Sequence, residues 1–330
     1  MKVSASVRAV QVPDDNPMHP LFTTMYLVGT DQVLTIDSGE ALDRYQWMLR
    51  GYLAAVERAE VALIGITHHH FDHSGNLKWM HEMYKADVLV HDRAVPLLDG
   101  RLPDEGVRTL GADQSLDLGG GVRPMVLFTP GHSVDSVCYY LEDEGVLFSG
   151  DTMLGNSTTT VGDLFDYRAS LQRLLELPNL QVICPGHGPL IHNPRERIQE
   201  YIDHRDMRER QILDALAEGE AQTSWDIMLK IYGDGIDTRL RRAADGNVQT
   251  HLRKLEREGR LKTYPGTPKV KSTEETAKEE EHAREREEIK TKAKEIEKEE
   301  RQAALFAQEN PPSAQWEEMP RYELIGTPRE

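Results

Sequence analysis

A cluster of potential metal ligands constrains this chain more than any other feature of its sequence. Residues 61–66 are mostly apolar, as in a buried strand, and lead directly into Thr67-His68-His69-His70-Phe71-Asp72-His73. An imidazole or carboxylate buried without a partner costs about 1–3 kcal/mol. Two divalent cations would satisfy four of these side chains at once, so the segment predicts a dinuclear metal site. A solvated, histidine-rich loop is the alternative, and the strand that precedes it disfavours that interpretation.

The spacing of the ligands has a geometric reason. Alternate side chains of an extended segment point to the same side, which would place His68, His70 and Asp72 together. His73 breaks the alternation and requires a turn, which we expect residues 74–76 to supply. One metal could then bind His68 and His70, and a second could bind Asp72 and His73. The two intervening side chains would point away.

Composition and charge limit the class of protein. The formal net charge is -17, which argues against strong non-specific binding to nucleic acid. The only two cysteines, Cys138 and Cys184, lie in apolar runs and are expected to be buried thiols in a reducing compartment. The first residues lack the apolar stretch of a signal peptide, and no segment has the ~20 apolar residues of a membrane span. We therefore expect a cytoplasmic protein.

The chain to about residue 193 alternates short apolar strands with amphipathic helices, which indicates an α+β fold with sheets buried between helices. The strand candidates are residues 6–12, 23–28, 32–37, 63–67, 88–91, 125–128, 136–141, 146–149 and 182–184. The helix candidates are residues 42–57, 76–84, 167–177 and 195–218.

The next part of the chain has the outline of a winged helix. The long helix is followed by a helix over residues 224–232, capped by Thr223 or Ser224, and by a helix over 247–258 that ends at Gly259. Residues 260–264 and the turn after them complete a small hairpin. A locally basic side of this region would be formed by Arg241, Arg242, Arg253, Lys254, Arg257, Arg260 and Lys262.

From residue 267 the sequence is rich in Glu, Lys and Arg and lacks an apolar stripe. We expect a helical or disordered tail, apart from a possible docking of Trp316 or Tyr322. The predicted domains are thus residues 1–193, which would be catalytic, 194–266, which would be winged-helix-like, and the charged tail 267–330.

Three further fragments place a potential ligand at the end of a predicted strand. They are Thr129-Pro130-Gly131-His132-Ser133, Phe148-Ser149-Gly150-Asp151-Thr152 and Pro185-Gly186-His187-Gly188-Pro189. Each contains a glycine, which allows the loop to approach a bound group closely. A single histidine after Pro-Gly is usually an ordinary turn residue, but strand ends of this kind recurring in one chain indicate a single site.

With these motifs, residues 5–195 resemble the metallo-β-lactamase superfamily, including its supporting Asp37-Ser38-Gly39 turn. The resemblance implies a four-layered αββα sandwich with the metals in a cleft at one edge of the sheets. It implies that His68, His70 and His132 hold one metal, that Asp72, His73 and His187 hold the second, and that Asp151 bridges the two.

The ligand types indicate the chemistry. Imidazoles and carboxylates without a thiolate suit zinc, and also iron or manganese. Two such ions share a water, lower its pKa toward ~7 and present a metal-bridging hydroxide for hydrolysis. The catalytic residues would be Asp151, as the bridging ligand, and Asp72, which could also orient the hydroxide.

Three segments of the chain resemble the β-lactamase-like protein 2 group. They are Ser149–Gly155, Cys184–Asn193 and the winged-helix-like region. That group includes an endoribonuclease acting on single-stranded RNA and is similar to fungal polyketide-releasing thioesterases. We favour a zinc-dependent hydrolase of a small acyl thioester or ester. An RNA endonuclease, a winged-helix nucleic-acid sensor and a mononuclear iron dioxygenase remain alternatives, and a homodimer is possible.

Overall fold

The computed structural model describes residues 1–13, 22–56, 60–98, 100–111, 113–217, 219–268 and 316–325. The chain divides into two compact units, Met1–Arg205 and Asp206–Glu330. The boundary lies inside a long helix, whereas the sequence placed it before that helix, between residues 193 and 194. The start of the helix contributes Ile198 and Tyr201 to the core of the first unit, and its end contributes Ile212 and Leu216 to the core of the second.

The first unit contains a six-stranded sheet whose strands follow one another in chain order. The strands are β1 (Val7–Pro13), β2 (Phe22–Val28), β3 (Gln32–Ile36), β4 (Glu60–Gly65), β5 (Asp87–His91) and β6 (Val107–Leu110). β1, β2 and β3 pair antiparallel, and β3 to β6 pair parallel. The sequence did not predict β6, in which Arg108 and Thr109 are exposed.

A second sheet has four strands in the order β10-β9-β8-β7. They are β7 (Met125–Phe128), β8 (Val137–Leu141), β9 (Val146–Gly150) and β10 (Val182–Pro185). Only β9 and β10 pair parallel. Because parallel strands end at the same edge of a sheet, the loops after β9 and β10 lie side by side.

Five α-helices among the described residues belong wholly or partly to this unit: α1 (Asp43–Val56), α2 (Phe71–Ser74), α3 (Leu77–Tyr84), α4 (Leu164–Leu175) and α5 (Pro194–Leu216). One apolar cluster joins the two sheets, for example through Tyr26 and Phe148. A second packs α1 and α3 on the first sheet, and a third packs α4 and the start of α5 on the second. The layers are therefore helix, sheet, sheet and helix, which confirms the predicted αββα sandwich.

The second unit is the predicted winged helix. It contains the end of α5, β11 (Gln222–Thr223), α6 (Ser224–Tyr232), α7 (Arg241–Arg257) and β12 (Leu261–Tyr264). Thr223 caps α6 in a capping box with Asp226, as one of the two predicted caps. α7 begins six residues earlier than predicted, since Ala244 packs in the core before Gly246.

The prediction that residues 267–330 form only a charged tail is wrong at both ends of that range. β13 (Thr267–Pro268) pairs with β14 (Trp316–Glu318), and β15 (Arg321–Leu324) lies between β11 and β12 as the middle strand of their sheet. Tyr322 and Leu324 pack against the core of the unit, so the suggested docking of Trp316 or Tyr322 is confirmed for Tyr322. Residues 269–315, which separate β13 from β14 in the sequence, lie outside the described part of the chain.

The described part of the chain contains no helix that is long and apolar enough to span a bilayer.

Candidate metal centre

Four strand ends bring the predicted ligands together. The loop after β4 carries the H-x-H-x-D-H segment, and the ends of β7, β9 and β10 supply the other three ligands. The side chains form two groups, and within each the potential ligand atoms lie within 4.8 Å of one another. The first group is His68, His70, His132 and Asp151; the second is Asp72, His73 and His187.

In the first group, ring nitrogens converge on a common point. His68 Nε2 lies 2.8 Å from His70 Nδ1, and His132 Nε2 lies 3.2 Å from the same Nδ1. His132 Nε2 is 3.8 Å from Asp151 Oδ2. Several lone pairs directed at one point repel one another unless a cation lies among them, so this arrangement fits a metal ion.

In the second group, His73 Nε2 and His187 Nε2 lie 3.2 and 3.1 Å from Asp72 Oδ2. Asp151 Oδ1 is 3.4 Å from His73 Nε2 and 3.5 Å from His187 Nε2. Asp151 therefore directs one carboxylate oxygen to each group. This is the position that a bridging ligand requires.

In four of the five histidines, the second ring nitrogen is fixed by another partner. His132 Nδ1 donates to Thr160 O at 2.9 Å, and His187 Nδ1 donates to Phe22 O at 3.2 Å. His73 Nδ1 lies 2.8 Å from Asp37 Oδ2, and His68 Nδ1 lies 3.1 Å from Thr67 Oγ1. Such bonds set the tautomer and orient the free nitrogen toward a metal, as in known metal sites.

Asp37 organises the interior of the site. Its backbone adopts a left-handed conformation with φ of 65°, directly after β3. Its carboxylate accepts the Thr67 backbone N–H at 2.7 Å and contacts His73. The sequence identified this turn only as supporting, and the structure shows how it connects β3 to the ligand loop.

Gly186 allows the last ligand to approach the others. A Cβ at this position would lie 2.6 Å from His73 Cε1 and 2.8 Å from Asp151 Oδ1, closer than real Cβ contacts allow. A side chain there would displace the cluster, so the glycine before His187 has the predicted role.

The electrostatics of the cluster favour the metal-binding protonation states of His68, His70 and Asp151, and a positive charge at His73. Burial lowers the pKa of His68 well below its usual value, and burial lowers that of His70 to about 4. Burial also lowers the pKa of His73, but the carboxylates of Asp72, Asp37 and Asp151 outweigh it and raise that pKa well above its usual value. Burial raises the pKa of Asp151, yet the surrounding imidazoles, first of all His73, hold it well below the ordinary range. A cation can replace the proton of His73 in this negative environment.

One local expectation needs correction. Phe71–Ser74 is a short helix, so Asp72 and His73 are brought to the cluster by a helical turn and not by an extended segment with a later turn. His69 lies outside both ligand groups, as expected, and its Nδ1 lies 2.8 Å from Asp135 Oδ1 and 3.1 Å from Ser133 Oγ. No sequence signal indicated Asp135, because only the fold brings it to His69.

The predicted buried thiols are confirmed. Cys138 and Cys184 lie inside β8 and β10 with no exposed surface, and burial raises the pKa of Cys138 to about 11. Neither belongs to the ligand groups found among the described residues.

Three of the basic residues of the winged helix contact acidic or polar groups of the same unit. Lys254 Nζ lies 2.7 Å from Glu209 Oε2 and 2.7 Å from Glu258 Oε1. Arg260 Nη1 lies 2.9 Å from Glu209 Oε1. Lys262 donates to Tyr264, whose hydroxyl donates in turn to Glu323 of β15. These pairs weaken the basic face that the sequence suggested.

Sequence profiles of two families match the chain. That of the metallo-beta-lactamase superfamily matches residues 19–187, and that of the beta-lactamase associated winged helix domain matches residues 223–265. The second match ends before β15.

The chain is also similar to individual proteins. The beta-lactamase-like protein 2 homolog of Caenorhabditis elegans is 35% identical over 266 residues, covering 78% of this chain and 86% of the relative. The atrochrysone carboxyl ACP thioesterase of Aspergillus fumigatus is 34% identical over 214 residues, covering 64% of this chain and 65% of that enzyme. The crystal structure of a metallo-beta-lactamase family protein from Thermus thermophilus superposes with a TM-score of 0.63 at 25% identity, covering 78% of this chain and 96% of that one.

Proposed function

Because the chain belongs to the metallo-beta-lactamase superfamily, we propose that it is a dinuclear metal-dependent hydrolase that cleaves a thioester or ester of a small acyl substrate. The observation that carries the proposal is the position of Asp151, whose two oxygens face two separate groups of ligand atoms. A mononuclear site would not need a second group of three buried side chains beside the first.

Each ligand has a defined place in the proposal. His68, His70 and His132 would hold the first ion, Asp72, His73 and His187 the second, and Asp151 both. When bound, two zinc ions, or iron or manganese, would activate a shared water and polarise the carbonyl group under attack.

The chain's own residues prepare the site for that reaction. The buried carboxylates of Asp72 and Asp151 offset the charge of two cations, which lowers the cost of holding them in the interior. Thr23 Oγ1 donates to Asp72 Oδ2 at 3.3 Å and helps to fix that carboxylate. We assign to Asp72 the further role of orienting the attacking water.

An acyl thioester is the favoured substrate class. The 34% identical fungal relative is named an atrochrysone carboxyl ACP thioesterase. The ion pairs of Lys254 and Arg260 disfavour tracking of an RNA backbone, which requires cations available to phosphates.

The test is a parallel assay of the purified full chain on lactoyl-glutathione, a panel of acyl thioesters and a labelled single-stranded RNA. We expect thioester turnover that is abolished by Asp151→Ala. Asp117→Ala is the matched control, because it removes an exposed carboxylate of the same unit and should leave turnover unchanged. RNA cleavage without thioester turnover, or full turnover by Asp151→Ala, would overturn the proposal.

A second control concerns the winged helix. Arg253→Ala with Arg257→Ala removes two exposed cations of α7. Thioester turnover should persist in this double variant. A selective loss of RNA cleavage in it would instead favour the nuclease.

A further inference from the structure

The three histidines of the first ligand group come from two different loops. His68 and His70 follow β4, and His132 follows β7. Their ring nitrogens must stay within a few tenths of an ångström of the positions that a tetrahedral ion requires. The two loops therefore need a fixed separation, and the residues that set it are not ligands.

A buried carboxylate joins these loops through side chains. Asp135 Oδ1 lies 2.8 Å from His69 Nδ1, and His69 stands between His68 and His70. The same oxygen accepts the hydroxyl of Ser133 at 2.5 Å, and Ser133 follows His132. The side chain of Asp135 is fully buried, whereas that of His69 is 24% exposed. Asp135 Oδ1 thus contacts two residues, His69 and Ser133, that are adjacent in sequence to the three histidine ligands.

The opposite side of the ligand loop is also held. Arg101 Nη1 donates to His69 O at 2.6 Å and to Ser74 Oγ at 2.5 Å, and its Nη2 donates to Leu97 O at 2.6 Å. These bonds hold the ligand loop at His69 and Ser74, and the Asp135 carboxylate restrains the same loop relative to the His132 loop.

We propose that Asp135 is a positioning residue that sets the geometry and affinity of the first metal ion by fastening the His68–His70 loop to the His132 loop through His69 and Ser133. The inference rests on the proposed dinuclear site. Asp135 contacts neither substrate nor ligand nitrogen in this arrangement, so it acts through the two loops alone.

The fold offers a reason why removal of this carboxylate need not unfold the unit. Val137 N donates to Thr67 O at 2.8 Å, which joins the same two segments through the backbone. Loss of the Asp135 side chain leaves that bond in place. The expected defect is therefore in ligand geometry.

The experiment titrates metal-free full chain with Zn²⁺ against a chelator and records the absorption spectrum of the Co²⁺ form. Asp135→Ala should weaken one of two binding events about 10–100-fold and alter the Co²⁺ spectrum, as loss of an outer partner does in other metal sites. The other event should keep its wild-type affinity. Asp135→Asn retains an accepting oxygen and should restore most of the affinity.

A pair of variants tests whether the effect passes through His69. His69→Leu should weaken the same binding event, and the double variant with Asp135→Ala should be no weaker than His69→Leu alone, because His69→Leu already removes the contacts of this ring with both Asp135 and Ser133. His69→Leu also decides the question if Asp135→Ala does not fold.

The outcomes separate the two proposals. Wild-type protein that binds fewer than two ions would contradict the dinuclear site itself. Wild-type protein that binds two ions, together with variants that bind both with unchanged affinity, would overturn only the role of Asp135. Equal weakening of both events with a lower melting temperature of the metal-free variant would show a merely structural role and would also overturn it.

Discussion

The last strand, β15, should be essential for the second unit although it follows residues 269–315 in the chain. Truncation after Pro268 removes the middle strand between β11 and β12 and the apolar contacts of Tyr322 and Leu324. Half-burial of two large side chains contributes about 2–3 kcal/mol, and the lost ladder bonds contribute about 0.5–1.5 kcal/mol each. The sum is about 5 kcal/mol, comparable to the whole stability of a small domain.

The measurement is hydrogen–deuterium exchange of the α7 amides. A loss of about 5 kcal/mol corresponds to exchange that is roughly a thousandfold faster or more, because each 1.4 kcal/mol is a factor of ten. The matched control joins Pro268 to Trp316, which are partners in the β13–β14 ladder, through Asn-Gly and deletes only residues 269–315. This internal deletion keeps every described strand and should protect α7 as the full chain does. Equal protection of α7 in the truncated chain would refute the reasoning.

Two other variants test the buried carboxylates. Asp37→Asn replaces one carboxylate oxygen by an NH2 group, which must face either the Thr67 N–H or the His73 ring nitrogen. We therefore expect one metal-binding event to weaken about 10–100-fold in a chelator titration. Unchanged affinity would contradict this expectation. Burial raises the pKa of Asp245 in the folded state, so its contribution to stability is full at low pH and is lost as pH rises through the folded pKa. Asp245→Asn imitates the protonated form, so its free energy of unfolding in urea should exceed that of the wild type by about 1–3 kcal/mol at pH 7 and by little near pH 4. The same difference at both pH values would count against burial as the cause.

The ligand cluster was predictable because the fold presents it at the ends of short apolar strands. The predicted strands before Thr67, His132, Asp151 and His187 agree with β4, β7, β9 and β10 to within three residues at each end. A strand that is buried on both faces is apolar throughout, and its end is marked by the first polar residues and glycine. The local sequence therefore predicted each strand and the position of the potential ligand at its end.

Features that depend on distant partners were not predictable in this way. β15 has the alternating pattern of a half-buried strand in only four residues, Arg321–Leu324, and its partners β11 and β12 lie far before it in the sequence. β6 is similarly short and half polar at the edge of its sheet. Asp135 stands next to His69 only after the loops of two strands have met.

The length of α7 shows tertiary packing prevailing over local propensity. Gly246 costs about 1 kcal/mol in a helix interior, which favours a start after it. Ala244 and Val248 both pack in the core of the second unit, and this burial extends the helix back to Arg241. Burial of this kind cannot be read from a single segment.

The metal content of active protein tests the dinuclear site most directly. Protein purified without chelator and analysed by inductively coupled plasma mass spectrometry should contain about two transition-metal ions per chain. Hydrolysis should disappear when the ions are removed and return when they are restored, and Asp151→Ala should fail to recover it. Full hydrolysis by protein stripped of metal would contradict the proposed chemistry.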